Sequence, residues 1–281
     1  MSDFLDAMAA GSRERSKRAQ ARLSYDELRR RLADRPAPPR LRLHESGFDL
    51  IAEIKPRSPA VGSLVERDTS AFDMVKRTEQ QASAYARGGA CAISVLTEPD
   101  RFDGSLGYLA SAAGVVDVPV MRKDFLVDPY QVLEGRLFGA GGVLVIARML
   151  GDALDEMIAT ALEQGMFVLL EAFDEADIEQ SVRALDGLDP SSRPRCLLGV
   201  NARNLRTLEI DDERLERLFP RLPREFTQVA ESGLDEQGVA RMARRGYRAA
   251  LVGSVLMKHS DPEAGVAAML RGARAIRQAE V

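Results

Sequence analysis

Phe48 to Gly62 reads FDLIAEIKPRSPAVG. An apolar run, Leu50-Ile51-Ala52, passes directly into Glu53-Ile54-Lys55 and then breaks at Pro56 and again at Pro59. The run has strand character, and residues two apart on a strand point to the same face. Glu53 and Lys55 therefore share a face. In a barrel that face is the interior, where charge is costly unless it is paired or used. The stretch by itself allows either a structural salt bridge or one wall of a site.

Outward from Phe48, short runs rich in Val, Ile, Leu and Ala alternate with longer amphipathic segments. The predicted strands are Leu50 to Ile54, Ala90 to Val95, Pro119 to Arg122, Gly142 to Ile146, Phe167 to Glu171, Leu197 to Asn201, Thr227 to Glu231 and Ala249 to Gly253. The predicted helices that follow them are Ala71 to Ala86, Gly107 to Val115, Pro129 to Phe138, Asp152 to Glu163, Asp174 to Leu185, Asp211 to Leu218, Asp235 to Arg244 and Asp261 to Gln278. Asp128-Pro129 and Asp261-Pro262 carry helix-start chemistry. Most strand runs are continuously apolar, as expected of parallel strands covered by helices. Eight such alternations predict an α/β fold, a single (β/α)8 TIM barrel, over an open doubly wound sheet; no GxGxxG follows the first strand. Residues 4 to 34 have helical periodicity and Pro36 to Pro39 form a stiff linker, so 1–47 reads as an N-terminal helical extension and linker and 48–281 as the barrel.

The 281 residues are 45% hydrophobic and 29% charged, with a net charge of -4. This is a globular composition without the electrostatic footprint of a nucleic-acid or acidic-membrane binder. Cys91 and Cys196 sit in apolar runs without a CxxC, and with only His44 and His259 besides no protein-built metal site is expected. No signal-peptide core or membrane-length run is present, which predicts a cytoplasmic protein.

In barrels of this kind the site is built at the C-terminal ends of the strands. Those ends carry Glu53, Lys55 and Ser58; Ser94, Thr97 and Glu98; Arg122-Lys123-Asp124-Phe125; Arg148; Glu171; Asn201-Ala202-Arg203-Asn204; Glu231-Ser232-Gly233; and Gly253-Ser254. Lysines, arginines and glutamates without a carboxylate cluster for metal suit acid-base chemistry on an anionic substrate. The Ser-Gly and Gly-Ser turns after strands seven and eight lie where such barrels hold phosphate. Glu98 and Asp124 read as capping or supporting residues, Arg148 as surface, and the two histidines as exposed or locally bonded.

The succession IAEIKPRSP, LTEPDRFDGS, MRKDFLVDPYQ, LLEAF, VNARNL, VAESG and LVGSVLM resembles the indole-3-glycerol phosphate synthase family over roughly residues 48 to 258. The resemblance implies a cofactor-free conversion of 1-(2-carboxyphenylamino)-1-deoxyribulose 5-phosphate to indole-3-glycerol phosphate, with loss of carbon dioxide and water, in tryptophan biosynthesis. It implies Lys123 as general acid, with a pKa lowered by Lys55 or by burial, Glu171 as base in the dehydration, Glu53 and Lys55 as positioning charges, and Asn201 and Arg203 at the reacting end. It further implies Ser58 near the carboxylate, Phe125 beside the aromatic ring, and Lys55, Glu231, Ser232, Gly233, Gly253 and Ser254 around the sugar phosphate. The expected partner is this small phosphorylated molecule, and the resemblance leaves room for association with other tryptophan-pathway enzymes.

The chain departs from the family pattern at Ser58-Pro-Ala-Val-Gly62, where SPSKG is common, at Phe173, where His is common, and at Ala202, which interrupts a paired Asn. These keep open a paralogue acting on a substituted anthranilate-derived substrate. A barrel isomerase like phosphoribosylanthranilate isomerase would want Cys at the end of strand one, and a non-catalytic barrel subunit would be expected to lose its strand-end charges.

Overall fold

Which side chains face the barrel interior is decided by register. A computed structural model describes residues 3–45, 47–65, 69–204, 207–211 and 213–279. Its strands are β1 (Asp49–Ile54), β2 (Ala92–Leu96), β3 (Val120–Lys123), β4 (Gly142–Ile146), β5 (Phe167–Ala172), β6 (Cys196–Asn201), β7 (Thr227–Glu231) and β8 (Ala249–Val252). All are parallel, each pairs with the next, and β8 closes on β1. The expected (β/α)8 barrel is what forms. Glu53 pairs with Ser94, Leu96 with Lys123, Ile146 with Glu171, and Asn201 with Glu231. Directly paired residues point the same way, so these side chains share the interior face.

The helices are α1 (Asp3–Arg22) and α2 (Tyr25–Ala33) before the barrel, then α3 (Ala71–Arg87), α4 (Pro99–Phe102), α5 (Leu106–Ala113), α6 (Pro129–Leu137), α7 (Leu154–Glu163), α8 (Glu175–Asp186), α9 (Arg214–Leu218), α10 (Glu236–Arg245), α11 (Ser254–Lys258) and α12 (Pro262–Ala279). Short polar side chains start many of them: Ser70, Asp128, Asp174 and Asp235 each accept a hydrogen bond from a first-turn backbone N–H, satisfying donors that the helix cannot. Three elements were not legible as periodicity: α4, α11, and a two-residue antiparallel ladder joining Arg57–Ser58 to Gly62–Ser63. Of the helix expected over 211–218, position 212 lies outside the described residues and the helix proper is Arg214–Leu218. Positions 1, 2 and 46 of the extension are likewise outside.

The extension is bound to the barrel at both of its ends. Leu5, Met8 and Ala9 of α1 join the core that the barrel strands build. Arg15 reaches Asp124 at 2.8 Å, Ser16 and Gln20 reach Asp128 at 3.0 and 2.9 Å, and Ser12 accepts from Gln131. Leu28 and Leu32 of α2 pack against Tyr130 and Leu133 of α6. The arginines at positions 35 and 136 then tie the linker to the end of α6, donating to Leu137 O and Pro36 O.

Arg122 sits next to Lys123 in sequence but points out of the barrel, toward the helices. It is buried and donates to Thr97 Oγ1, Gln131 O, Glu134 and Asp124 at 2.7–3.2 Å. Removing one partner of such a buried network leaves uncompensated charge. Arg122→Met is therefore expected to cost about 3–5 kcal/mol, read as a lower urea midpoint at unchanged m-value.

Candidate active site

At the C-terminal end of the barrel the interior face opens into a cavity of about 440 Å³. All thirteen residues singled out as catalytic or substrate-binding line it: Glu53, Lys55, Ser58, Lys123, Phe125, Glu171, Asn201, Arg203, Glu231, Ser232, Gly233, Gly253 and Ser254. Six strands and their following loops thus converge on one space.

Lys123 is its centre. Its Nζ lies 3.2 Å from Glu171 Oε2 and 3.7 Å from Glu231 Oε2. Glu171 also accepts from Asn201 Nδ2, and Asn201 Oδ1 accepts from the Arg203 backbone N–H at 2.8 Å. The amide is thereby oriented by the loop that follows it. Glu53 and Lys55 are ion-paired, and the salt bridge is itself part of the cavity wall.

The electrostatics correct one expectation. Burial alone would depress the Lys123 ammonium, but Glu171, Glu231 and Glu53 together reverse this and hold its pKa above the ordinary lysine value. The carboxylates outweigh both burial and the neighbouring Lys55, whose charge is balanced by Glu53. Glu53 shows the converse: burial pushes it up, and Lys55, then Lys123, pull it below the usual carboxylate range. Glu231 is pushed well up by burial and by Glu171, with Lys123 only partly opposing.

Two glycines make room for these charges. A Cβ at Gly199, on β6 beside β7, would overlap Glu231 Oε1, and one at Gly253 would overlap Glu53 Oε1 and crowd Lys55 Nζ at 2.9 Å. Ser232 and Gly233 both take left-handed backbone, with φ of +73° and +72°. For serine this is uncommon and mildly strained.

The remaining wall is apolar. Phe125 meets Phe4 edge-on at 5.8 Å and Phe102 at 6.0 Å, and Leu144, Ile146 and Phe173 also line the space. Such a wall facing a charged floor suits a flat aromatic group carrying anionic substituents. Phe4 and Phe102 were missed as site residues. Phe102 stood inside the quoted RFDGS run, whereas Phe4 offered only one aromatic in a helical pattern.

Glu98 caps α4, accepting from the backbone N–H groups of Asp100, Arg101 and Phe102 at 2.7–3.1 Å. Asp124 accepts from Thr97, Arg122, Arg15 and its neighbour's N–H. Arg148, expected at the surface, is instead half-buried. It binds Asp177 and Asp174 and lies over the Phe173 ring at 5.1 Å, while Asp177 accepts from the Phe173 N–H at 2.7 Å. This fork braces the turn directly after Glu171. His259 accepts from the Asp261 N–H, and both cysteines are free and buried. Among the described residues no group of His, Cys, Asp or Glu is placed to hold a metal ion, and no helix is long and apolar enough to cross a membrane.

Comparison with known proteins adds a second line. A family model described as indole-3-glycerol phosphate synthase matches residues 5–269. An indole-3-glycerol phosphate synthase of a Nocardioides species is 42% identical over 269 residues, covering 94% of this chain and 97% of that protein. One from Methanopyrus kandleri is 42% identical over 231 residues, covering 81% and 85%. Indole-3-glycerol phosphate synthase 1 of Streptomyces coelicolor is 38% identical over 270 residues, covering 95% and 93%. Among solved structures, 3-hexulose-6-phosphate synthase from Salmonella typhimurium aligns with a TM-score of 0.60 at 15% identity over 82% of this chain and 100% of that one, a likeness of fold alone.

The packing at Gly199 can be tested directly. Gly199→Ala forces a methyl against the Glu231 carboxyl and is expected to cost about 1–3 kcal/mol, measured by denaturant unfolding.

Proposed function

The chain belongs to the indole-3-glycerol phosphate synthase family, and from that premise we propose that it closes the indole ring of 1-(2-carboxyphenylamino)-1-deoxyribulose 5-phosphate. The products are indole-3-glycerol phosphate, carbon dioxide and water. The observation that carries this reading is the convergence of Lys123, Glu171 and Asn201 on one cavity that has an aromatic wall.

The ring carbon bearing the carboxylate attacks the sugar ketone, and Lys123 delivers a proton to the ketone oxygen. A lysine kept charged by surrounding carboxylates suits that role. It also stabilises the negative charge that develops on the oxygen. Carbon dioxide then leaves and restores aromaticity. In the last step the new hydroxyl takes a proton from a charged lysine of the cavity floor and departs as water, while Glu171 takes a proton from the carbon beside the nitrogen. Asn201 holds Glu171 for that transfer, and Glu53 steadies the cationic stage while keeping Lys55 in place.

Phe125, with Phe4 and Phe102, holds the anthranilate ring, and Ser58 and Arg203 lie near its carboxylate. The phosphate sits against Lys55, Ser232, Gly233, Gly253 and Ser254, with Glu231 at the sugar hydroxyls. The location after β7 and β8, where barrels of this class commonly bind phosphate, supports this arrangement. We place the reaction in the cytoplasm, which two free buried thiols fit, and in tryptophan biosynthesis.

A second reading has one observation in its favour. Phe173 replaces a common family His in the cavity wall, which would favour a ring-substituted anthranilate. Turnover of the unsubstituted compound, followed by indole fluorescence, separates the two, and no product at high enzyme concentration would sink the main reading.

Lys123→Ala is expected to lower kcat by at least ~10²–10⁴-fold with a smaller change in KM. Phe4→Ala, which trims only the aromatic wall, is expected to raise KM several-fold while kcat at saturation changes little.

A further inference from the structure

Three carboxylates, two lysines and Arg203 meet around the cavity, and the carboxylates are not equally partnered. Glu53 takes Lys55, and Glu171 takes Lys123 at 3.2 Å together with the Asn201 amide. Glu231 is left over. Its side chain is almost wholly buried in the cavity wall, and among the described residues neither of its carboxyl oxygens has a hydrogen-bond partner. Its nearest cation is Lys123, at 3.7 Å and already engaged.

β3 presents Lys123, β5 presents Glu171, β1 presents Glu53 with Lys55 beyond it, β6 ends in Asn201, whose amide is committed to Glu171, with Arg203 after it, and β2 and β4 present only Leu96, Leu144 and Ile146 to the cavity. Gly199, also of β6, leaves space against Oε1 but offers no donor. From β8 the paired residue is Leu251. A charged carboxylate in that place would be desolvated, unbonded and beside a second carboxylate.

We infer that Glu231 is held as a neutral carboxylic acid, and that its hydroxyl donates a hydrogen bond to an oxygen of the substrate's sugar chain beside Lys123. A neutral carboxyl removes the repulsion between Glu231 and Glu171 and supplies a donor that carboxylate chemistry lacks. The direction of its pKa agrees, raised first by burial and then by Glu171. The donor role rests on the ring-closing reading, whereas the protonation state does not.

The test is isotope-edited infrared spectroscopy of the full-length, substrate-free protein with carboxyl-labelled glutamate. Near neutral pH a protonated-carboxyl C=O band is expected in the wild type and absent from Glu231→Gln. No such band in the wild type, or one that persists in the variant, overturns the inference. Thermal unfolding gives a second readout. The folded form keeps a proton that the unfolded glutamate releases above about pH 4.3, so this site's contribution is present at low pH and is lost as pH rises. Glu231→Gln does not titrate, so its Tm relative to wild type should climb between about pH 5 and about pH 8; a constant difference overturns the inference. If the variant does not fold, the labelled wild-type band is titrated instead, and its loss below neutral pH is the overturning result. For the donor role, saturating the slow Lys123→Ala variant with the carboxyphenylamino deoxyribulose phosphate should shift the band, and an unmoved band rejects that role. Failure of turnover would sink the ring-closing reading and leave the resting-state band untouched.

Discussion

Eight strands closed on themselves leave each residue only two directions, and adjacent residues must take opposite ones. This two-way choice governs the molecule. It sends Arg122 outward into a network with Thr97, Gln131, Glu134 and Asp124, and sends Lys123 inward to Glu171 and Glu231. Two neighbouring cations thereby acquire unrelated tasks. One ties the top of β3 to the loops and helices around it, and the other faces the cavity. A slip of one residue in β3 would exchange them.

The same constraint gathers like charges that would otherwise avoid each other. Glu53, Glu171 and Glu231 come from strands separated by more than a hundred residues at the extremes, yet register sets them on one face. Lysines and the Asn201 amide offset most of that repulsion, and glycines at 199 and 253 provide the volume. The floor is consequently a single electrostatic unit. The charge state of any member follows from the others, which is why Lys123 is raised although burial pulls it down.

Much of this was visible in the chain itself. Continuous apolar runs broken by polar strand ends displayed the eight β/α units, because parallel strands buried on both faces need no alternation. The polar ends displayed the floor residues for the same reason: each stands where an apolar run stops. What could not be read depends on distant parts of the chain meeting. Phe4 joins the aromatic wall because Leu5, Met8 and Ala9 enter the core and Arg15, Ser16 and Gln20 dock on Asp124 and Asp128, and no local pattern marks that. The direction of the Lys123 shift needed the positions of three glutamates from three strands. Arg148 looked like surface because its partners, Asp174 and Asp177, lie on the next β/α unit.

The docking of α1 also bears on how the chain reaches this state. Its anchors on Asp124, Asp128 and Gln131 span sequence separations of 109, 112 and 119 residues, and none of those three partners exists until β3 and the start of α6 have been made. Long-range closures are slow because the intervening chain must first be ordered. This helix, though it precedes the barrel in the chain, is therefore a late arrival, its anchors incomplete while the first three β/α units assemble. Completion of the aromatic wall is in this way postponed until a sizeable part of the barrel is already in place.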